Sequence, residues 1–168
     1  LRQAIVDWFA RRRNVHGLST DQVMPTVGSK ELVAWLPFLL GLGTHPETGE
    51  RDVVVYPRAA YPTYEIGARL AGADHYAADS LTELPEDVKR RVRLVWVNSP
   101  ANPNGVVRGV EQLRELVRHA RDIGAVVASD ECYAELGWGE WDTAGGGKPV
   151  PSILDEHVCA GDFTGLFA

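Results

Sequence analysis

The chain of 168 residues is 45% hydrophobic and 24% charged, a balance typical of one globular domain rather than of a disordered segment. Its net charge of −6 argues against a nucleic-acid partner, which requires a basic surface. The only cysteines, Cys132 and Cys159, lack metal-ligand spacing, so we expect no metal site and a reducing, cytoplasmic setting. No apolar run approaches the roughly 20 residues that a membrane span needs, so no membrane partner is expected.

Helices and strands are predicted to alternate along the first half of the chain. The apolar residues of the opening segment share one helical face, and the arginines at positions 11–13 are predicted to form a solvated face or a cap that compensates the helix dipole, rather than a polyanion site. The later segments predict a short strand at 22–27, a helix from Gly28 to about Leu42, a buried strand at 52–56 and a helix at 64–70.

The second half continues the same alternation. It predicts strands at 73–77, 93–97 and 125–129, a helix at 110–123, a Gly/Pro-rich surface loop at 138–150, and last strand positions at Val158 and after Asp162. This order predicts an α/β fold of three layers, in which a mostly parallel sheet is flanked by helices.

Polar side chains follow two of the predicted strands. The loop Asn98-Ser99-Pro100-Ala101-Asn102-Pro103-Asn104-Gly105 ends the strand at 93–97, and Ser129-Asp130-Glu131-Cys132-Tyr133 ends the strand at 125–129. Because open α/β sheets bind ligands at the carboxyl ends of their strands, we expect Asn102, Asp130 and Tyr133 to meet at one edge. The alternatives are that Asn102 only forms a turn and that Asp130 only caps a helix.

Two further segments could contribute to a ligand site. Ser29 and Lys30 open a predicted helix, whose free N–H groups and positive dipole end suit a phosphate. Ser29 could equally be an ordinary N-cap with Lys30 in solvent. Tyr61, held by Pro62, could be a platform for a flat heterocycle. The alternative is that Tyr61 and Tyr64 are packing residues with their hydroxyls in water.

In order and spacing, these segments resemble the large domain of class I/II (fold type I) pyridoxal-phosphate-dependent aminotransferases. The resemblance implies that pyridoxal 5′-phosphate is the cofactor, with Ser29 and Lys30 at its phosphate and Tyr61 stacked on its pyridine ring. It also implies that Asn102 and Tyr133 bind the 3-oxygen of the ring, and that Asp130 binds the ring nitrogen and supports its role as an electron sink.

Longer stretches, from Pro25 to Pro37 and from Val127 to Tyr133, are similar to the actinobacterial N-succinyldiaminopimelate aminotransferases of lysine biosynthesis. The implied substrates are an amino acid such as glutamate and a 2-oxo acid, and the implied assembly is a homodimer. Family members carry a Schiff-base lysine in a Ser-x-Ser-Lys segment that this chain lacks. We therefore expect residues 1–168 to be a large domain truncated at both ends, without the small domain and inactive alone.

Two other functions remain open at this point. The same cofactor-facing residues serve C–S lyases and decarboxylases on the same scaffold, so fold similarity does not separate these reactions from transamination. A non-catalytic remnant domain would also retain the sheet while lacking the lysine.

Overall fold

The computed structural model describes residues 1–168 and contains a five-stranded, fully parallel sheet in the order β2-β1-β3-β4-β5. The strands are β1 (Val53–Tyr56), β2 (Asp74–Ala77), β3 (Val92–Asn98), β4 (Val126–Asp130) and β5 (Leu166–Phe167). The predicted parallel α/β architecture is therefore confirmed.

Six α-helices surround the sheet. They are α1 (Arg2–Arg13), α2 (Ser29–Leu39), α3 (Thr63–Leu70), α4 (Glu86–Lys89), α5 (Val110–Asp122) and α6 (Glu156–Cys159). None of them combines the length and the apolar character that crossing a bilayer requires.

Alternation along the strands divides the core into two layers. Val53 and Val55 of β1 pack with α5 and α6 on one face of the sheet, whereas Val54 packs with α2 and α3 on the other. Successive side chains of a strand point to opposite faces, so a strand buried on both faces reads as a continuous apolar run. The result is the predicted three-layer arrangement.

The strand order creates a crevice at one edge of the sheet. The chain passes from β1 outward to β2 and then returns to place β3 on the other side of β1. Loops leaving the carboxyl ends of β1 and β3 therefore diverge, which leaves the opening where ligands bind in such sheets.

The structure differs from the predicted elements at three places. Residues 22–27 form no strand, because Pro25 offers no N–H for a ladder and the segment contains only the end of a 3₁₀ turn, Thr20–Gln22. Helix α2 stops at Leu39 rather than near Leu42. Val158 lies in α6, whose first turn is capped by the Asp155 side chain accepting from the His157 N–H, rather than in a strand.

Helices α2 and α3 approach each other closely at Gly67. A Cβ atom at this position would lie 2.9 Å from the carbonyl oxygen of Ala34 and 3.1 Å from that of Val33. Glycine in a helix costs up to about 1 kcal/mol relative to alanine, so the close contact must outweigh this cost. The spacing matters for the site because α2 and α3 both contribute residues to it.

We predict that Gly67→Ala destabilises the protein by about 1–2 kcal/mol, because overpacking costs more than the gain in helix propensity. Urea denaturation measures the change. Gly109→Ala is the matched control, since a Cβ there would meet only the Gln112 side chain at 4.0 Å. A stabilised Gly67→Ala variant would show that the helices can move apart at no cost.

Candidate functional site

All of the predicted site residues line one cleft of about 210 Å³ at the carboxyl edge of the sheet. The same cleft is lined by four residues that the sequence reasoning did not assign: Val33, Tyr64, Asn98 and Cys132. The predicted residues are Ser29, Lys30, Tyr61, Asn102, Asp130 and Tyr133.

Parallel pairing explains why these residues converge. Asn98 of β3 lies opposite Asp130 of β4 in the register of the sheet, so both strands end at the same level. Tyr61 lies in the connection between β1 and α3, and the first turn of α2 closes the cleft from one side. Residues far apart in sequence thus meet because three strands point their carboxyl ends the same way.

The Asp130 carboxylate has hydrogen-bond donors but no cation. The Tyr64 hydroxyl donates to Oδ2 at 2.8 Å, and the Cys132 N–H donates to Oδ1 at 3.4 Å. None of the ion pairs in the chain includes this carboxylate. A partly buried carboxylate is most stable with a positive partner, so this end of the cleft suits a cationic ligand group.

Tyr64 is the main functional residue that the sequence reasoning missed. Its side chain is fully buried and its ring stacks on Trp96 with centroids 5.0 Å apart. Burial, followed by the charge and hydrogen bond of Asp130, raises the pKa of Tyr64, so the phenol stays protonated and donates to the carboxylate. The interpretation that its hydroxyl lies in water is therefore wrong.

The opposite end of the cleft suits an anion. Helix α2 begins at Ser29 after Gly28, whose φ of 86° is strained for any other residue type. The N–H groups of the first helical turn have no partner within the helix, and the dipole adds positive potential there. Lys30 and Tyr61 line this part of the cleft together, and the Thr63 side chain and then the Lys30 ammonium lower the pKa of Tyr61.

The third side of the cleft carries an amide and a phenol. The Asn102 Nδ2 lies 3.5 Å from the Tyr133 hydroxyl, so the two groups can act on the same oxygen of a ligand. These two residues also border a second cavity of about 360 Å³, which is lined by apolar side chains such as Leu136, Trp138 and Trp141. Asn102 and Tyr133 therefore form the wall between the two spaces.

Glu131, the neighbour of Asp130, is anchored away from the cleft. Its Oε1 accepts hydrogen bonds from Ser129 Oγ at 2.9 Å, Ser152 Oγ at 3.1 Å and Ile153 N at 2.7 Å. Its Oε2 forms an ion pair at 3.0 Å with Arg13, whose side chain is 1% exposed. The prediction that Arg13 is solvated is therefore wrong, because its guanidinium lies against Glu131 and the Pro151 carbonyl.

A flat, phosphorylated heterocycle with a basic ring nitrogen fits these features together. The cleft offers helix N–H groups and Lys30 to an anion, an aromatic ring in Tyr61, and a carboxylate without a cation in Asp130. Asn102 and Tyr133 add two groups for a ring oxygen between these ends.

Comparison with known proteins agrees with this geometry. Residues 1–158 match the family described as aminotransferase class I and II. The chain belongs to this family. Members of the family use pyridoxal 5′-phosphate, a cofactor with the phosphate, ring nitrogen and 3-oxygen that the cleft can contact.

Its relatives are aminotransferases by name. The chain is 46% identical over its whole length to a 4-dedimethylamino-4-oxo-anhydrotetracycline transaminase, OxyQ, of Streptomyces rimosus, and covers 42% of that protein. It is 47% identical over its whole length to a probable aminotransferase of Mycobacterium tuberculosis, of which it covers 36%.

A solved structure of a probable N-succinyldiaminopimelate aminotransferase from Thermus thermophilus matches 92% of the chain with a TM-score of 0.75 and 27% identity. The chain covers 40% of that structure. It therefore spans about two fifths of the length of these three relatives.

We predict that Arg13→Ala destabilises the protein by about 3–5 kcal/mol, because Glu131 is then left buried without its cation. Arg12→Ala is the matched control: the neighbouring Arg12 pairs with Glu135, but the two side chains are 51% and 44% exposed. We expect that loss to be below about 1 kcal/mol. Urea denaturation distinguishes the two, and equal losses would contradict a buried role for Arg13.

We predict that Cys132 reacts slowly with iodoacetamide although it lies in the cleft. Cys132 is an exposed residue, but partial desolvation of its thiol in the cleft, followed by the hydrogen bond and charge of Asp130, raises its pKa to about 11, so its thiolate is scarce at neutral pH. At pH 8 the rate should be roughly 100-fold below that of an ordinary thiol and should increase about tenfold per pH unit towards pH 11.

Peptide mass spectrometry measures the rate at each cysteine. Cys159 is 3% exposed and should remain unlabelled in the folded protein at all of these pH values. Labelling of Cys132 at pH 7 at the rate of free cysteine would contradict the account of its surroundings.

Proposed function

We propose that this chain is the cofactor-binding part of a pyridoxal-phosphate-dependent aminotransferase, which transfers an amino group from an amino acid such as glutamate to a 2-oxo acid. The observation that carries the proposal is the single cleft that joins a carboxylate without a cation, Asp130, to the first turn of α2. Class I and II aminotransferases are the family to which the chain belongs.

Each cleft residue has a separate role in this proposal. Ser29 and Lys30 bind the phosphate, and Tyr61 holds the ring plane by stacking. Asn102 and Tyr133 bind the 3-oxygen, and Asp130 holds a proton on the ring nitrogen. When bound, the cofactor supplies a protonated pyridine ring that accepts the electrons released at the Cα of the amino acid.

Tyr64 supports this chemistry from the protein side. Its hydroxyl donates a hydrogen bond of 2.8 Å to Oδ2 of Asp130, the carboxylate that holds the ring proton in this proposal. Because the tyrosine is fully buried and stacked on Trp96, it also restricts where the carboxylate can point. Tyr64 is therefore a positioning residue for Asp130.

We further propose that the Schiff-base lysine lies outside residues 1–168. The three lysines of the chain are Lys30 at the phosphate end, Lys89 in an ion pair with Glu86, and Lys148 in the Gly-rich loop. A positioned amine is needed both to bind the cofactor covalently and to transfer a proton at the Cα of the substrate. Residues 1–168 alone are therefore inactive in this proposal. The rest of the site, including a small domain, belongs to the remainder of a full-length protein.

The proposed acceptor is the precursor of N-succinyldiaminopimelate, in lysine biosynthesis, and the proposed assembly is a cytoplasmic homodimer. The Thermus structural relative is named as a probable N-succinyldiaminopimelate aminotransferase and supports this substrate, whereas the Streptomyces relative is named for a tetracycline substrate. The two names point to different acceptors. The substrate is therefore tested by comparing the rates of transamination with each candidate 2-oxo acid.

Asp130→Asn in the full-length protein tests the function. An opposite charge shifts a pKa by about 1–3 units, so removing it should lower the protonated fraction of the ring, and with it kcat, by about 10-fold to 1,000-fold. The assay measures 2-oxoglutarate formed from glutamate with each candidate 2-oxo acid. Asp122→Asn is the control, since that carboxylate is 61% exposed at the end of α5.

The same assay separates the alternatives. Ammonia and pyruvate in place of an aminated acceptor would indicate a C–S lyase, and release of carbon dioxide would indicate a decarboxylase. Absence of any turnover by a full-length protein that binds the cofactor would favour a non-catalytic domain and overturn the proposal.

A further inference from the structure

Asn98 links the two loops that contribute most to the cleft. It is the last residue of β3, it is 5% exposed, and it lies directly opposite Asp130 in the register of the sheet. Its side-chain Nδ2 donates to the backbone carbonyl of Asp130 at 2.8 Å. Its Oδ1 accepts from the backbone N–H of Asn102 at 2.7 Å.

We propose that Asn98 is a positioning residue that fixes the separation between Asn102 and Asp130, and so holds the cofactor ring in register. The inference rests on the proposed function, because it assigns these two residues to the 3-oxygen and the ring nitrogen. The ring nitrogen and the 3-oxygen attached to the ring are a fixed distance apart. The protein groups that contact them must therefore also be held at a fixed separation.

The chemistry of the amide explains why this residue type is needed. A single planar group must donate on one side and accept on the other, and only an amide side chain of this length does both. An aspartate at position 98 would keep the acceptor but place an oxygen against the Asp130 carbonyl. A leucine would leave the Asn102 N–H and the Asp130 carbonyl without these partners at a partly buried position.

Hydrogen bonds within the loop that carries Asn102 join its two ends beside Asn98. The Ala101 carbonyl accepts from Gly105 N at 2.7 Å, and Ala101 N donates to the Val106 carbonyl at 2.9 Å. Ser99 Oγ accepts from Arg108 N at 2.9 Å at the base of the loop. The loop that carries Asn102 is therefore internally closed, and its link to β4 passes through the Asn98 side chain and the 3.3 Å bond from Ser99 N to the Asp130 carbonyl.

The test compares two cofactor forms in the full-length protein: pyridoxal 5′-phosphate and its analogue without the 3-hydroxyl group. Dissociation constants are measured by quenching of tryptophan fluorescence. In the unmodified protein, we expect the analogue to bind about tenfold more weakly, since it loses the contacts of Asn102 and Tyr133.

For Asn98→Asp we expect two changes. The affinity for pyridoxal phosphate should fall about 10-fold to 100-fold, because a misplacement of about 1 Å weakens oriented contacts on that scale. The ratio of the dissociation constant of the analogue to that of pyridoxal phosphate should fall towards one, because Asn102 no longer reaches the 3-oxygen while Asp130 still holds the ring nitrogen. Asn98→Ala should give the same ratio of dissociation constants, and it replaces Asn98→Asp in the test if the aspartate variant does not fold.

Ser99→Ala is the matched control. Ser99 is also buried, at 1% exposed, and also holds the loop, but its side chain contacts neither Asn102 nor Asp130. We expect a lower melting temperature with an unchanged ratio. If the Asn98 variants likewise lose stability but keep the ratio of the unmodified protein, Asn98 is only structural and the inference is overturned. If the unmodified protein binds neither cofactor form, the proposed function fails with it.

Discussion

The site depends on the Asp130 carboxylate. This group faces the cleft at the end of a buried strand, where it has hydrogen-bond donors but no cation as partner. The Asp130 carboxylate accepts hydrogen bonds from the Tyr64 hydroxyl at 2.8 Å and from the Cys132 N–H at 3.4 Å. A negative group in such a place raises the affinity for a positive ligand atom. The helix start on the other side of the cleft favours a negative one. The two ends together define the polarity of the molecule that the cleft can bind.

Rigidity around Asp130 comes from contacts on three sides. Asn98 holds its backbone carbonyl, Tyr64 holds its carboxylate, and the neighbouring Glu131 is fixed by the ion pair with Arg13. Buried polar networks of this kind are costly when incomplete and specify one geometry when satisfied. The sheet thus positions Asp130, whereas these side chains decide its orientation.

Much of the fold and the candidate site followed from local sequence patterns. Apolar runs such as Val53–Tyr56 are buried strands, and polar residues directly after β3 and β4 meet because parallel strands end at one edge. The error at residues 22–27 has a local cause as well, since extended backbone beside Pro25 resembles a strand in sequence but finds no partner. Val158 lies in a four-residue helix, which is too short to show helical periodicity in the sequence.

The contacts that complete the site could not be read from the sequence. Tyr64 and Asp130 are 66 residues apart, and Arg13 and Glu131 are 118 apart, so nothing local links either pair. Nothing in the local sequence separates Arg13 from the neighbouring Arg11 and Arg12, which are exposed, because its partners Glu131 and Pro151 are distant along the chain. A signal for Tyr64 was present, since it lies three residues after Tyr61 on the face of α3 that packs on the sheet.

The most direct test of the account is the ¹⁵N NMR spectrum of pyridoxal phosphate labelled at the ring nitrogen and bound to the full-length protein. If Asp130 has the role described here, the ring nitrogen stays protonated between pH 6 and pH 8, because the neighbouring carboxylate raises its pKa by about 1–3 units. A ring nitrogen that is neutral throughout that range, or whose signal is unchanged by Asp130→Asn, would contradict the account.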